Sequence, residues 1–197
     1  MRVESGRAGV VAVDHVRRLF AAAGGRVRLT VWWNGAAADR LLDARHAALV
    51  ERVIGVLRAR GWRTEVEVTF AEFGERGSID VLGGYERARA IAICEVKSAL
   101  GSLEETNRLL DVKERLGPRI AKARFGWVPA VTGRLLILPA DSTTRRTVAH
   151  HTQTMASAYP ARSRDVRAWI RSPDRPIRGL WFLSEVAAGD LVSGQRA

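Results

Sequence analysis

The sequence predicts an α/β fold: a mixed, partly antiparallel central β-sheet flanked by helices. Three observations predict it. Residues 39–60 carry an apolar stripe of helical period. Three strand patterns then follow one another directly, at residues 64–73, 78–82 and 90–97. After them the chain passes through helix, strand and helix before closing on strand-like segments. A fully parallel, doubly wound sheet would alternate strands with helices throughout, so three adjacent strands argue against it.

Each element has its own signal. Residues 13–23 predict a short helix stopped by Gly24 and Gly25. Residues 26–33 (RVRLTVWW) alternate as a strand does, and Asn34-Gly35 reads as a turn. In the helix at 39–60, Leu42, His46, Leu49, Val50, Val53, Ile54 and Leu57 form the stripe, and Gly61 ends it. Residues 64–73 alternate polar and apolar, as a strand with one wet face would. A turn at 74–77 leads to the strand at 78–82, and residues 83–89 turn back. Residues 90–97 (AIAICEVK) are apolar on both faces until their end, which predicts a central strand.

Ser102 and Glu105 have capping-box spacing, so a helix is expected over 102–123, kinked or divided at Pro118. Residues 135–138 predict a buried strand and 142–158 a helix. Residues 166–170 and 179–183 read as a closing strand pair around Ser172-Pro173-Asp174. The expected domain organisation is an N-terminal extension over 1–37, a main domain over 38–185 and a tail over 186–197.

The net charge of +11 is unevenly distributed. Residues 1–114 hold 18 basic and 16 acidic side chains, and residues 115–197 hold 14 and 5. A basic half points to a polyanionic partner, most commonly nucleic acid. Cys94 is the only cysteine, so an internal disulfide and a cysteine-based zinc site are excluded, and a reducing cytoplasmic location is expected. No apolar run approaches the ~20 residues that span a bilayer, and the first twenty residues lack a signal-peptide core. Only Lys97, Lys113 and Lys122 are lysines in an otherwise arginine-based set, which makes each conspicuous.

The chemistry concentrates at the end of the third strand. Side chains alternate faces along a strand, so Ile91, Ile93, Glu95 and Lys97 share one face and Ala92, Cys94 and Val96 the other. A hairpin centred near Arg87-Ala88 places Asp80 opposite Glu95. Directly opposed residues have Cβ atoms about 4.5–5.5 Å apart. Two carboxylates that close, partly buried, repel unless one is protonated or a cation lies between them. A hard divalent ion such as Mg²⁺ takes carboxylate and carbonyl oxygens. Lys97 stands beside this pair, and Ser98 follows. Such a trio suits phosphodiester hydrolysis, in which an ion activates water and a lysine stabilises developing negative charge. Glu-x-Lys alone usually marks a solvated strand edge; here the apolar strand before it and the opposed Asp80 raise its meaning.

The segment ERGSIDVLGG, the fourteen residues between Asp80 and Glu95, and the following EVKS together resemble the PD-(D/E)xK nuclease superfamily. This is the fold of restriction endonucleases and archaeal Holliday-junction resolvases, and nuclease-like domains of arginine-rich actinobacterial proteins are similar. The match covers residues 39–139. The resemblance implies a restriction endonuclease-like core and a DNA endonuclease that uses Mg²⁺ or Mn²⁺. It implies Asp80, Glu95 and the Val96 carbonyl as metal ligands, Lys97 as the catalytic lysine, and Glu51 as the extra helix glutamate of the resolvase-like branch. It also implies a homodimer. Ile79 stands where the superfamily name has proline, which leaves the carboxylate intact.

Other residues carry weaker signals. Arg108, Lys113 and Arg119, on the helix after the motif, are candidates to face a DNA backbone, as are Arg145, Arg146, Arg162, Arg164 and Arg167. His46 falls on an apolar stripe and reads as a core histidine; His150 and His151 read as structural or surface residues. Trp32, Trp33, Trp62, Trp127, Trp169 and Trp181 read mostly as core. Two other functions stand beside the nuclease: a DNA-binding or regulatory module that keeps the fold without cleaving, and a structural interaction protein.

Overall fold

The computed structural model describes residues 13–25 and 36–184. The expected strand at 26–33, the turn after it, Trp32, Trp33 and the segments 1–12 and 186–197 lie outside the described residues. The chain divides into two units, residues 1–38 and 39–197. The first contains helix α1 (Val13–Ala22), closed by Gly24 at φ +73° and by the Gly25 N–H donating to the Phe20 carbonyl at 2.7 Å. Helix α2 (Ala36–Arg58) begins in the first unit and runs into the second.

The second unit holds a five-stranded mixed sheet among the described residues, flanked by helices. Its strands are β1 (Arg63–Glu72), β2 (Glu75–Tyr85), β3 (Ala90–Val96), β4 (Val131–Pro139) and β5 (Ile177–Leu183), in the spatial order of the sequence. β1, β2 and β3 are antiparallel neighbours, whereas β3, β4 and β5 are parallel. β3 is thus the middle strand, as its two apolar faces predict, and the strand at which the sheet changes direction. All seven of its residues are buried. Ala92, Cys94 and Val96 pack with α2 residues Leu49, Val50, Val53 and Leu57; Ile91 and Ile93 pack on the opposite face with Leu116 and Ile120. These last two belong to α3 (Leu103–Phe125). Each of the Val, Leu and Ile side chains among them contributes about 1.5–3 kcal/mol by leaving water, so the two faces lock the register of β3 from both sides.

Local chemistry sets the element ends. The Ser102 hydroxyl caps α3 by accepting the Glu105 N–H at 3.2 Å, and Gly126 closes it at φ +83°. Of the two expected effects of Pro118, a kink or a division, the helix shows no division. The stripe Leu110, Leu116, Ile120, Ala121 and Phe125 stays buried on both sides of the proline, and that packing outweighs the one N–H that proline lacks. β2 also runs longer than its sequence suggests, through Gly83 and Gly84. An aromatic ring explains the second glycine: a Cβ on Gly84 would lie 2.7 Å from the Phe125 ring.

Two expectations are corrected past β4. The segment 142–158 forms two helices, α4 (Ser142–His150) and α5 (Thr152–Ala158), which meet at His151. Residues 166–170 are not a strand but part of helix α6 (Ser163–Arg171). Its buried residues Val166, Trp169 and Ile170 recur at helical spacing, and the Asp165 carboxylate accepts the Arg162 N–H at 2.9 Å at its start. Over five residues the helical and strand patterns are hard to separate, and Trp and Ile favour strands by propensity. No helix among the described residues is long and apolar enough to cross a membrane.

Candidate functional site

The site grows from a fork in the sheet. β2 pairs with β1 from Glu75 onward but with β3 only from Val81. β3 meanwhile stays paired with β4 as far as Val96, and the Lys97 N–H still donates to the Ile137 carbonyl at 3.0 Å. The end of β3 is therefore held on one side and parted from β2 on the other. Asp80 stands at the crotch. The β2–β3 register, with Val81 opposite Cys94, is the expected one, so Asp80 and Glu95 are the next opposed pair beyond the ladder. The β1–β2 register also omits Asp80, passing from Val66↔Val81 to Val68↔Ile79; the omitted Glu67 has φ +48°. That left-handed backbone is costly for a non-glycine residue.

The parted strands leave the Val96 N–H without a β2 carbonyl, and the Asp80 carboxylate accepts it instead at 2.7 Å. Burial and the neighbouring Glu95 charge push the Asp80 pKa upward. The Val96 N–H and the charges of Lys113 and His46 pull the other way without reversing the direction.

Glu95 is nearly inaccessible, at 2 % exposure, and both its oxygens carry an ammonium. Lys97 Nζ lies 2.8 Å from Oε1, and Lys113 Nζ contacts Oε2. The two lysines differ in setting. The Lys97 side chain is 36 % exposed, whereas that of Lys113 is 7 % exposed. Burial alone would depress the Lys97 pKa, but its hydrogen bond to Glu95 and the charges of Glu95, Asp80 and Glu105 reverse that, so it rises. Lys97 is accordingly a fixed cation at neutral pH rather than a proton acceptor.

A cleft of about 340 Å³ opens over this arrangement, lined on the sheet side by Asp80, Val96, Lys97, Ser98 and Ala99, and on the α2 side by Leu42, Asp43 and His46. Of the expected trio, Asp80 and Lys97 line the cleft, and Glu95, which does not, joins them through its ion pair with Lys97 and its charge on Asp80. Glu51 does not join them: it is exposed on α2 and does not line the cleft. Three residues apart on the same helix, Asp43 and His46 face the cleft instead. His46 is only part-buried and lines the cleft, so it is not the core histidine its stripe suggested.

Lys113 corrects a second expectation. It does not face outward toward a DNA backbone but is buried against Glu95. Its sequence signal was available. Leu103, Thr106, Leu110, Lys113, Gly117, Ile120 and Ala121 fall at three- and four-residue spacing, so a lysine sits on the inner stripe of α3. A lysine is almost never fully buried unless paired, and in the structure its partner is Glu95.

The remaining cationic candidates are exposed or held by local partners. Arg108 is exposed on α3. Arg119 pairs with Glu72 at 3.0 Å and lies over the Phe73 ring. Arg145 and Arg146 are exposed on α4, which follows the C-terminal end of β4; Arg145 stacks on Phe182, and Arg146 Nε donates to the Ser142 carbonyl at 3.3 Å. His150 and His151 are exposed, and Trp62, Trp169 and Trp181 are buried. The sequence reading missed Arg134, a guanidinium at 2 % exposure on β4 that contacts Asp111 and lies 3.3 Å from Glu114.

Among the described residues, no group of three or more His, Cys, Asp and Glu side chains could hold a metal ion. A site for a hard divalent ion would rest on Asp80, Glu95 and the Val96 carbonyl. Mg²⁺ binds through one or two carboxylates and keeps several waters, so this oxygen donor set fits it. Burial raises the Asp80 pKa most, and the nearby Glu95 charge adds to the rise. No protein-family model matches this sequence, and a comparison with curated proteins finds no match.

Proposed function

We propose that this chain is a divalent-metal-dependent DNA endonuclease with a restriction endonuclease-like core of the PD-(D/E)xK type. One observation carries the reading: Asp80 and Lys97, from two strands and separated in sequence, line one cleft, and the buried Glu95 behind it pairs with Lys97 at 2.8 Å and acts on Asp80 by its charge. Asp80, Glu95 and the Val96 carbonyl would hold Mg²⁺ or Mn²⁺. Such an ion, when bound, lowers the pKa of a water and draws charge from phosphoryl oxygens.

The chain's own groups supply the rest. Lys97 keeps its proton at neutral pH and reaches the cleft, where it stabilises negative charge developing on a non-bridging phosphoryl oxygen. Ser98 adds a hydrogen-bond donor beside it. The basic half of the chain attracts the polyanionic strand, and the exposed Arg145 and Arg146 on α4 supply phosphate contacts that position it without reading its sequence. The single buried Cys94 fits work in the reducing cytoplasm.

A second reading is a DNA-binding or regulatory module that keeps the site without cleaving. It is favoured by the two ammoniums on Glu95, which leave neither oxygen of that carboxylate unpaired. Cleavage of plasmid and branched DNA with Mg²⁺ or Mn²⁺ separates the two. The nuclease reading expects cutting by the wild type and none by Lys97→Ala. DNA binding without cutting by any protein on any substrate would leave the module.

A further inference from the structure

The charges around the carboxylates balance without any ion. Asp80 and Glu95 contribute two negative charges, Lys97 and Lys113 two positive ones, and the four act on one another at short range. The two lysines are not equivalent. Lys97 lines the cleft and can follow a substrate oxygen. Lys113 is 6 % exposed, lies on the inner stripe of α3 and approaches Glu95 from the core side. It sits between Leu110 and Gly117 on that stripe, over the sheet face that also buries Ile93. Lys113 does not line the cleft.

We infer that Lys113 is a built-in counter-ion for the Glu95 carboxylate, a positioning residue that holds the inner oxygen and keeps the empty site closed to divalent ions. This rests on the metal-dependent reading above. With Lys113 on Oε2 and Lys97 on Oε1, both Glu95 oxygens are paired, and an arriving ion meets two carboxylates already offset by two ammoniums rather than a bare dianionic pair. An ion therefore binds weakly until the phosphodiester strand adds its own negative charge. A neutral residue at position 113 uncovers a net negative site, and a divalent ion then becomes the missing counter-ion. A nearby unit charge changes proton binding at a carboxylate by about one to three powers of ten, and a divalent cation should respond at least as strongly.

The test is Mn²⁺ binding to the full chain, read by electron paramagnetic resonance, together with the Mn²⁺-dependent rise in Tm, in the absence of DNA. Lys113→Met is expected to bind Mn²⁺ about tenfold or more tightly than the wild type and to gain more Tm from it. Lys113→Arg, which keeps the charge, is expected to bind like the wild type. Adding Glu95→Gln to Lys113→Met should remove the gain, and that assigns it to this carboxylate. If Lys113→Met fails to fold without ions, its recovery by Mn²⁺ but not by Na⁺ at equal ionic strength supports the inference, and failure to recover overturns it. Equal or weaker Mn²⁺ binding by a folded Lys113→Met also overturns it. A wild type whose Mn²⁺ affinity is unchanged by an uncleaved oligonucleotide does so too, without any variant. These readouts do not involve cleavage. A tighter-binding Lys113→Met in a chain that never cuts DNA would sink the nuclease reading and leave the counter-ion in place.

Discussion

Asp80→Asn should make the protein more stable and less active at once, and the pH dependence of the gain is calculable in sign. The amide is isosteric with the carboxylate, and its Oδ1 can still accept the Val96 N–H that Asp80 accepts at 2.7 Å. Three contributions change. The variant escapes the cost of burying an anion and the repulsion from Glu95, and it loses the charge-assisted part of the Val96 bond, worth about 1 kcal/mol. The upward direction of the Asp80 pKa decides between them, because it states that the folded protein favours the neutral form after the Val96 bond has been counted. For a carboxylate raised in the folded state, the native protein binds more protons than the unfolded chain as pH climbs above about 3.9. Stability therefore falls as pH rises from there through the folded-state pKa, and the cost is fully present above that value. Below about 3.9 both states are protonated and the cost vanishes. Relief of active-site tension of this kind adds about 0.5–2 kcal/mol, and each kcal/mol moves Tm by about 2–4 °C in a chain of this size. The assay is a pair of melts for each protein, at pH 7 and pH 3, without divalent ions. A variant Tm equal to or below the wild type at pH 7 would refute the argument. So would a gain that persists undiminished at pH 3. Repeating the pH 7 melts with Mg²⁺ tests the ion site, since Mg²⁺ should raise the wild-type Tm more than that of the variant.

Four further outcomes are expected. Lys97→Ala should cut the DNA cleavage rate by about 10²–10³-fold while shifting Tm little, because its side chain is 36 % exposed and screened by water. Because the Lys97 pKa is raised, its pairing with Glu95 holds throughout neutral pH and is lost only as pH rises through the folded-state value above about 10; a wild-type stability profile that drops between pH 7 and 9 and does not drop in Lys97→Ala would contradict this. Glu51→Ala should leave cleavage and Tm unchanged, whereas His46→Ala, in the cleft wall, should lower cleavage; paired rate assays in which only Glu51→Ala loses activity would reverse the assignment. Gly133→Ala should cost about 1–3 kcal/mol by overpacking, since its Cβ would lie 2.4–2.9 Å from three atoms of the Trp169 ring, and denaturant melts should show it more destabilised than Gly55→Ala, whose Cβ would meet nothing within 4 Å.

Much of this was legible in the sequence because the informative positions obey short-period rules. The alternation in β3 assigned Ile91, Ile93 and Glu95 to one face and Ala92, Cys94 and Val96 to the other, and the two core clusters divide the apolar members in the same way. Hairpin geometry alone set Val81 against Cys94 and so Asp80 against Glu95. What escaped depends on tertiary contact. The partner of Glu95 on α3 is eighteen residues away, and nothing local says which carboxylate an inward lysine meets. Glu51 and His46 lie on one helix, and choosing which faces the cleft requires the helix rotation, which the sheet sets. Arg134 could not be foreseen as buried, because the acids that hold it, Asp111 and Glu114, come from a different element. The helix at 163–171 was misread because its buried positions span fewer than three turns.

The location of the site follows from the topology rather than from any one residue. Ligands of open α/β sheets bind beyond the carboxyl ends of strands, where the strand order or direction switches and the neighbouring segments part. β3 is that strand here: its carboxyl end is paired on the β4 side and released on the β2 side. Releasing a strand exposes backbone N–H groups, and a buried N–H must find an acceptor. Asp80 supplies one for Val96, and that obligation draws a carboxylate into the fork whether or not the protein has a ligand. Once there, it stands beside Glu95, and the two acids need positive charge. The fold supplies it from two directions, the core through Lys113 and the cleft through Lys97. A purely structural fork would be as well served by apolar residues, since a buried ion pair is often no more stable than its hydrophobic replacement. Two acids and two lysines gathered at one released strand end are therefore more than the packing of the fork demands.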